Sequence, residues 1–191
     1  MRELRVVYNP IARRGRFISQ VDRLTEIAQS HGFLVSLYRM TGKAVDAKEM
    51  LSGLGDSAII VACGGDGTLN NAINACQGKK IDIVYCPFGT FNELSKNNNR
   101  QKPFTLNRTG KINGRLFSYV TATGTFTPLG YIVDNKKKQR IKVLAYLLKV
   151  LQEYKVNDIS ADIQTDTHHF NGNYTLIMVI ESKRCFGFKF N

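Results

Sequence analysis

Gly64-Gly65-Asp66-Gly67-Thr68 stands between two runs of different character. Before it comes Ala58-Ile59-Ile60-Val61-Ala62-Cys63, with the unbroken hydrophobicity of a strand buried on both faces. After it, apolar residues recur at 69, 72, 73 and 76, which is helical spacing. Strand, glycine-rich turn and helix in that order bring backbone N–H groups and a positive helix end to one point. Such a point binds anions, phosphate above all.

The rest of the first hundred residues repeats the alternation. Leu4 to Tyr8 reads as a strand ending at Asn9-Pro10. Apolar positions 17, 18, 21, 24, 27 and 28 predict an amphipathic helix over 17–30, closing near His31-Gly32. Phe33 to Tyr38 alternates as a strand, 43–54 suits a second helix, and Ile81 to Tyr85 is a fourth strand closed by Pro87-Phe88-Gly89-Thr90. The order predicts an α/β domain over 1–100, a doubly wound, mostly parallel sheet with ligands at the carboxyl ends of its strands.

The pattern changes after residue 96. The segment 96–103 is polar and reads as a linker. A second, β-rich domain is expected over 104–191. Lys111 to Val120 carries a strand–turn–strand signal, 138–154 a basic amphipathic helix, and Asp158–Gln164 and Tyr174–Glu181 two strands separated by 168–173. Asp158, Asp162 and Asp166 alternate with apolar neighbours and suit a solvent face. His168 and His169 are adjacent and would face opposite ways on a strand, so a turn suits them better than a metal site.

A length of 191 residues with 43% hydrophobic content suits one domain, or one and part of another. The net charge of +12 favours an acidic partner: nucleotide phosphates, an anionic membrane surface or nucleic acid. The alternative is a basic surface without a partner. Cys63, Cys76, Cys86 and Cys185 show no metal-binding spacing, which speaks against zinc or a disulfide framework. No leader or membrane-length apolar run is evident, so a cytoplasmic protein is expected, with membrane contact at most peripheral.

Within the glycine turn, Gly64, Gly65 and Gly67 leave room for phosphate, and Thr68 offers a hydroxyl at the helix start. Asp66 is the odd member. A carboxylate facing phosphates repels them unless a cation intervenes, so Mg²⁺ beside Asp66 follows; the alternative is that Asp66 only caps the helix. The turn is neither a Walker sequence nor G-x-G-x-x-G. Arg13, Arg14 and Arg16 either pair with phosphates or sit as surface charge.

Taken together, Asn9-Pro10, Thr41, Gly64 to Asn70 and Pro87-Phe88-Gly89-Thr90-Phe91-Asn92-Glu93-Leu94 come in the order and approximate spacing of the diacylglycerol kinase catalytic-domain family. The chain resembles its soluble bacterial lipid kinases, with sphingosine and ceramide kinases as relatives. Ile112 to Thr125, with Gly124, resembles the family's entry into its second domain. NAD kinases and phosphofructokinases share the glycine turn alone. The resemblance implies an ATP site built from Asn9, Pro10, Gly15, Thr41, Gly64, Gly65, Asp66, Gly67, Thr68, Asn70, Thr90 and Asn92, with Mg²⁺ reached by Asp66 through the nucleotide. It implies transfer of the ATP γ-phosphoryl group to a lipid hydroxyl in phospholipid metabolism, and a lipid substrate at an anionic membrane surface. Nucleic acid is not an expected partner, and a homodimer stays open.

Three departures bear on activity. Glu93-Leu94-Ser95 replaces the commoner Asp-Phe-Ala. Arg108 stands where the family carries an aspartate, and a cation there reverses the local field. The chain stops at Asn191, before the segment that holds the family's general base, so the second domain reads as truncated and Asp66 is the one catalytic candidate. The lipid-kinase reading therefore stands beside two alternatives: an inactive pseudokinase, regulatory module or remnant that still binds nucleotide, and, more weakly, an NAD kinase. The basic segment Lys136 to Lys149 is a candidate for docking on anionic lipid.

Overall fold

A computed structural model describes residues 2–10, 18–42, 46–89, 92–97, 106, 108–125, 158–182, 184–185 and 188–189. Four parallel strands form the central sheet: β1 (Glu3–Tyr8), β2 (Leu34–Arg39), β3 (Ile59–Gly64) and β4 (Asp82–Pro87), in the order β2-β1-β3-β4. Their registers are continuous, with Val6 opposite Leu37 and Val61, and Val61 opposite Val84. Helices α1 (Ile18–Ser30), α2 (Asp46–Glu49) and α3 (Asp66–Ala75) connect them. The strand order reverses between β1 and β3, the place where ligands bind in open sheets of this kind.

Alternation of side chains along each strand builds two cores. Val6, Leu4, Val61 and Cys63 pack with Val21 and Ala28 of α1 on one face. Val7, Ile60 and Ala62 pack with Met40, Met50, Ala72 and Cys76 on the other. β3, covered on both faces, appears in the sequence as a solid apolar run, whereas the edge strands β2 and β4 leave Leu37 and Val84 exposed. The doubly wound sheet is thus the expected one.

The helix predicted over 43–54 is shorter: the chain leaves it after Glu49, and Gly53 takes a positive φ that no α-helix accommodates. Residues 43–45 are outside the described set, and α2 spans only Asp46–Glu49. Beyond it the chain makes tight turns, with bonds from Ser52 N to Glu49 O and from Leu54 N to Leu51 O. Arg5 on β1 donates from Nη1 to the carbonyls of Met50 and Ser52, at 3.0 and 2.8 Å.

A third cluster, Leu69, Ile73 and Leu94, joins α3 to the short helix α4 (Glu93–Asn97) and to Leu116. Leu116 lies on β6 (Arg115–Phe117), the partner of β5 (Gly110–Ile112) in an antiparallel hairpin turned by Asn113 and Gly114, both with positive φ. Asn74 of α3 clasps that hairpin, accepting from Leu116 N at 2.9 Å and donating to Leu116 O at 2.7 Å.

The chain divides into two units, Met1–Val120 with Ile180–Asn191, and Thr121–Val179. In the first, β11 (Arg184–Cys185) and β12 (Phe188–Lys189) form a small antiparallel pair. The second has β8 (Ile159–Gln164) paired with β9 (His169–Tyr174), and a ladder between β7 (Val120–Gly124) and β10 (Leu176–Ile180). The segment 168–173, expected to separate two strands, is mostly strand: β9 covers 169–174, and the turn lies at 165–168, closed by Thr165 N donating to His168 O. Backbone pairing with β8 overrides its polar, glycine-containing composition. The basic helix expected over 138–154 lies outside the described residues.

Candidate functional site

The described candidates all follow carboxyl ends of the parallel strands. Asn9 and Pro10 follow β1, and the Asn9 N–H reaches Cys63 O on β3 at 3.4 Å. Thr41 follows β2, exposed and beyond Met40, whose N–H bonds Tyr8 O at 2.9 Å. Gly64 to Asn70 join β3 to α3, and Asn92 follows β4. Gly15 and Thr90 lie outside the described residues, as do Arg13, Arg14 and Arg16.

The two glycine-bearing turns are built against each other. Gly89 N donates to Gly64 O at 2.8 Å. A Cβ on Gly89 would collide with the backbone of Gly65 and stand 2.8 Å from Asn92 Oδ1. A Cβ on Gly64 would collide with the Thr68 side chain, whose buried hydroxyl is tucked over that glycine. Gly67 differs: it is exposed, and a Cβ there would meet nothing within 4 Å. Packing accounts for Gly64 and Gly89 but not for Gly67, which lowers helix propensity in the first turn of α3. A ligand approaching that open face is the remaining reason for it.

Asp66 does not cap α3. The N-cap is Gly65, with no side-chain bond, and Asp66 is the first helical residue. Its carboxylate reaches sideways instead. Oδ2 accepts from Glu93 N at 2.8 Å and Oδ1 from the Tyr85 hydroxyl at 3.2 Å. Burial raises the Asp66 carboxyl above its ordinary value, against the pull of those donors. Burial and the Asp66 charge also push the Tyr85 phenol up, so it keeps its proton. Asn92 is buried, and its amide donates to Pro87 O at 2.8 Å and Gly89 O at 2.9 Å, shaping the second turn from within.

Asn70 lies one helical turn beyond Asp66, and its Oδ1 is buried without a hydrogen-bond donor. Such an oxygen suits a cation or a donor brought by a ligand. Among the described residues no three His, Cys, Asp or Glu side chains gather to hold a metal. Asp66 with Asn70 therefore fits a cation only if phosphate oxygens complete its shell. The N–H groups of Asp66 and Gly67, in the first turn of α3, have no partner within the helix and suit an anion. Beneath the site, Cys63 and Cys86 are neighbours in register and are free thiols. The bond to Cys86 and burial push the Cys63 thiol up.

Sequence reasoning missed Tyr85 and the Glu93 N–H. Tyr85 had a readable signal: a phenol at the end of a buried apolar strand needs a hydrogen-bond partner. The role of Glu93 N–H carries no side-chain signature. Arg108 pairs with Glu181 at 3.3 Å, its side chain 83% exposed.

Sheet order, switch point and clasped turns define a doubly wound α/β protein with its candidate site at the carboxyl edge of the sheet. Residues 3–113 match the family model described as the diacylglycerol kinase catalytic domain. The chain belongs to that family. A protein named diacylglycerol kinase from Bacillus subtilis (strain 168) is 26% identical over 99% of this chain and 68% of its own length. One of the same name from Staphylococcus saprophyticus is 28% identical over 97% and 66%. A crystal structure described as a diacylglycerol kinase from Bacillus anthracis superposes with a TM-score of 0.59 at 18% identity, covering 98% of this chain and 67% of that one. At that identity the likeness speaks for the fold. The chain spans about two thirds of the length of these relatives. No helix among the described residues is long and apolar enough to cross a membrane.

Proposed function

We propose that the clasped turns form the ATP site of a lipid kinase of diacylglycerol kinase type. The observation that carries this is the junction itself: Gly89 bonded to Gly64 and closed against Gly65, with the first turn of α3 open at Gly67. The N–H groups of Asp66 and Gly67 would bind phosphate oxygens. Asp66 and Asn70 would share Mg²⁺ with those phosphates, Thr68 would stiffen the turn through Gly64, and Asn92 would hold the second turn to the first. Bound Mg²⁺ supplies charge neutralisation between the phosphates and Asp66. The relatives' printed name makes diacylglycerol the first lipid acceptor to test. The charge of +12 supports approach to an anionic bilayer.

Titration calorimetry of the folded chain with Mg·ATP tests the nucleotide half. Micromolar to millimolar binding is expected, and none at millimolar nucleotide would sink it. Labelled ATP with diacylglycerol in anionic vesicles tests turnover. The NAD kinase alternative predicts labelled NADP when NAD replaces the vesicles.

A second reading, nucleotide binding without turnover, draws on the Arg108–Glu181 pair. A cation stands there with an acidic partner, where the resemblance calls for an acid. Binding by calorimetry with no labelled lipid would favour this reading.

A further inference from the structure

Tyr85 has one hydroxyl proton and two acceptors. Its oxygen lies 3.2 Å from Asp66 Oδ1 and 3.3 Å from Asn92 Oδ1. One proton serves one acceptor at full strength or both weakly. Asn92 has its two N–H bonds on Pro87 O and Gly89 O, and Gly89 is bonded in turn to Gly64 O. Asp66 has its other oxygen on Glu93 N. The bonds therefore run from Gly64 through Gly89, Asn92, Tyr85 and Asp66 to Glu93, and Tyr85 is the link between the two turns' side chains. Its ring is anchored by both cores that meet α3, so the hydroxyl is held in place while its proton can turn.

We propose that Tyr85 is a positioning residue whose shared proton couples the Asp66 carboxylate to the turn at 87–92. When Asp66 faces the protein alone, the proton leans to its charge. When a cation draws on Asp66 Oδ1, the proton swings to Asn92, polarises that amide and tightens its bonds to Pro87 and Gly89. Arrival of the metal-bearing phosphate at the first turn is thereby felt at the second. The consequence for binding rests on the nucleotide reading above; the coupling itself does not.

The test uses the full chain labelled with ¹³C at tyrosine Cζ and with ¹⁵N, studied by NMR without nucleotide. Asp66→Asn stands in for the neutralised carboxylate: its oxygen can accept from Glu93 and its NH₂ can donate to Tyr85, which sends the phenol proton to Asn92. We expect the Tyr85 Cζ signal, the Asn92 side-chain NH₂ signals and the Gly89 amide to shift together. In Tyr85→Phe, which keeps the ring and its packing, Asp66→Asn should leave the Asn92 and Gly89 signals in place. The same Asn92 and Gly89 response with and without the phenol hydroxyl overturns the proposal, as does no response in either. Should Asp66→Asn fail to fold, Tyr85→Phe alone must move the Asn92 NH₂ signals, and unmoved signals overturn it.

With nucleotide, Tyr85→Phe should cut the gain in ATP affinity that Mg²⁺ provides by about tenfold, the size of one hydrogen bond to a charged group. The loss of ATP affinity in EDTA should be smaller, and an equal loss with and without Mg²⁺ would overturn the coupling to the carboxylate's neutralisation. If the native chain binds no ATP in either condition, the nucleotide reading falls, while the nucleotide-free comparison still decides the coupling.

Discussion

Asp66 and Asp162 each meet a side-chain partner, in opposite surroundings. Asp162 on β8 is paired with His169 on β9, both 62% exposed on a two-stranded hairpin. Asp66 meets Tyr85 and Glu93 at the edge of a sheet whose Val6, Val7 and Ile60 are fully buried. Water screens the first pair, and its removal changes little. Partial burial weakens that screening at Asp66 and raises its carboxyl. Surroundings, more than pairing, set these two acids apart.

The contrast can be broken at several depths. Ile60→Ala should cost about 2–5 kcal/mol in urea denaturation, by lost burial and a cavity in the α2–α3 face. Ile163→Ala in the hairpin should cost less than about half of that, and equal costs would mean the hairpin shares a core the contrast denies it. Gly89→Ala forces a methyl group into Gly65 and should cost about 1–3 kcal/mol. It should also abolish Mg·ATP binding in calorimetry; retained affinity would mean that the two turns do not act as one unit.

Asp66→Asn should raise the melting temperature at neutral pH. The sign follows from linkage: a carboxyl raised in the fold stabilises it when protonated, and that contribution is lost as pH rises through the folded value. Ionising Asp66 in the fold therefore costs stability, and the amide avoids that cost. The gap should narrow as pH falls towards the ordinary value of 3.8. A lower melting temperature at pH 7 would mean that the bonds from Glu93 and Tyr85 outweigh burial. The smallest change is His169→Ala, within about 0.5 kcal/mol by denaturation, as for an exposed pair.

The strand–turn–helix at 58–76 was legible because each link has a local cause. Two-sided burial writes an apolar run, glycine marks close approach, and helical spacing follows from one covered face. The helix at 43–54 was overread because the chain leaves helical geometry after Glu49, with Gly53 at positive φ and Arg5 bonded across the turn to the carbonyls of Met50 and Ser52. β9 was read as a connection because its strand character comes from pairing with β8. At the site, the sequence marked the residues of both turns from Gly64 to Asn92 and missed how they join, since Tyr85 belongs to neither motif.

Sequence by itself determined the alternation, the parallel sheet and the two turns, because hydrophobic period and glycine placement act over a few residues. Tertiary structure alone decided that Gly89 closes on Gly65, that Asp66 turns away from its own helix to Glu93 and Tyr85, and that one phenol proton serves both turns. Those outcomes depend on strands β3 and β4 lying side by side, about 4.8 Å apart as in any sheet. No local pattern encodes which atoms then meet across that gap.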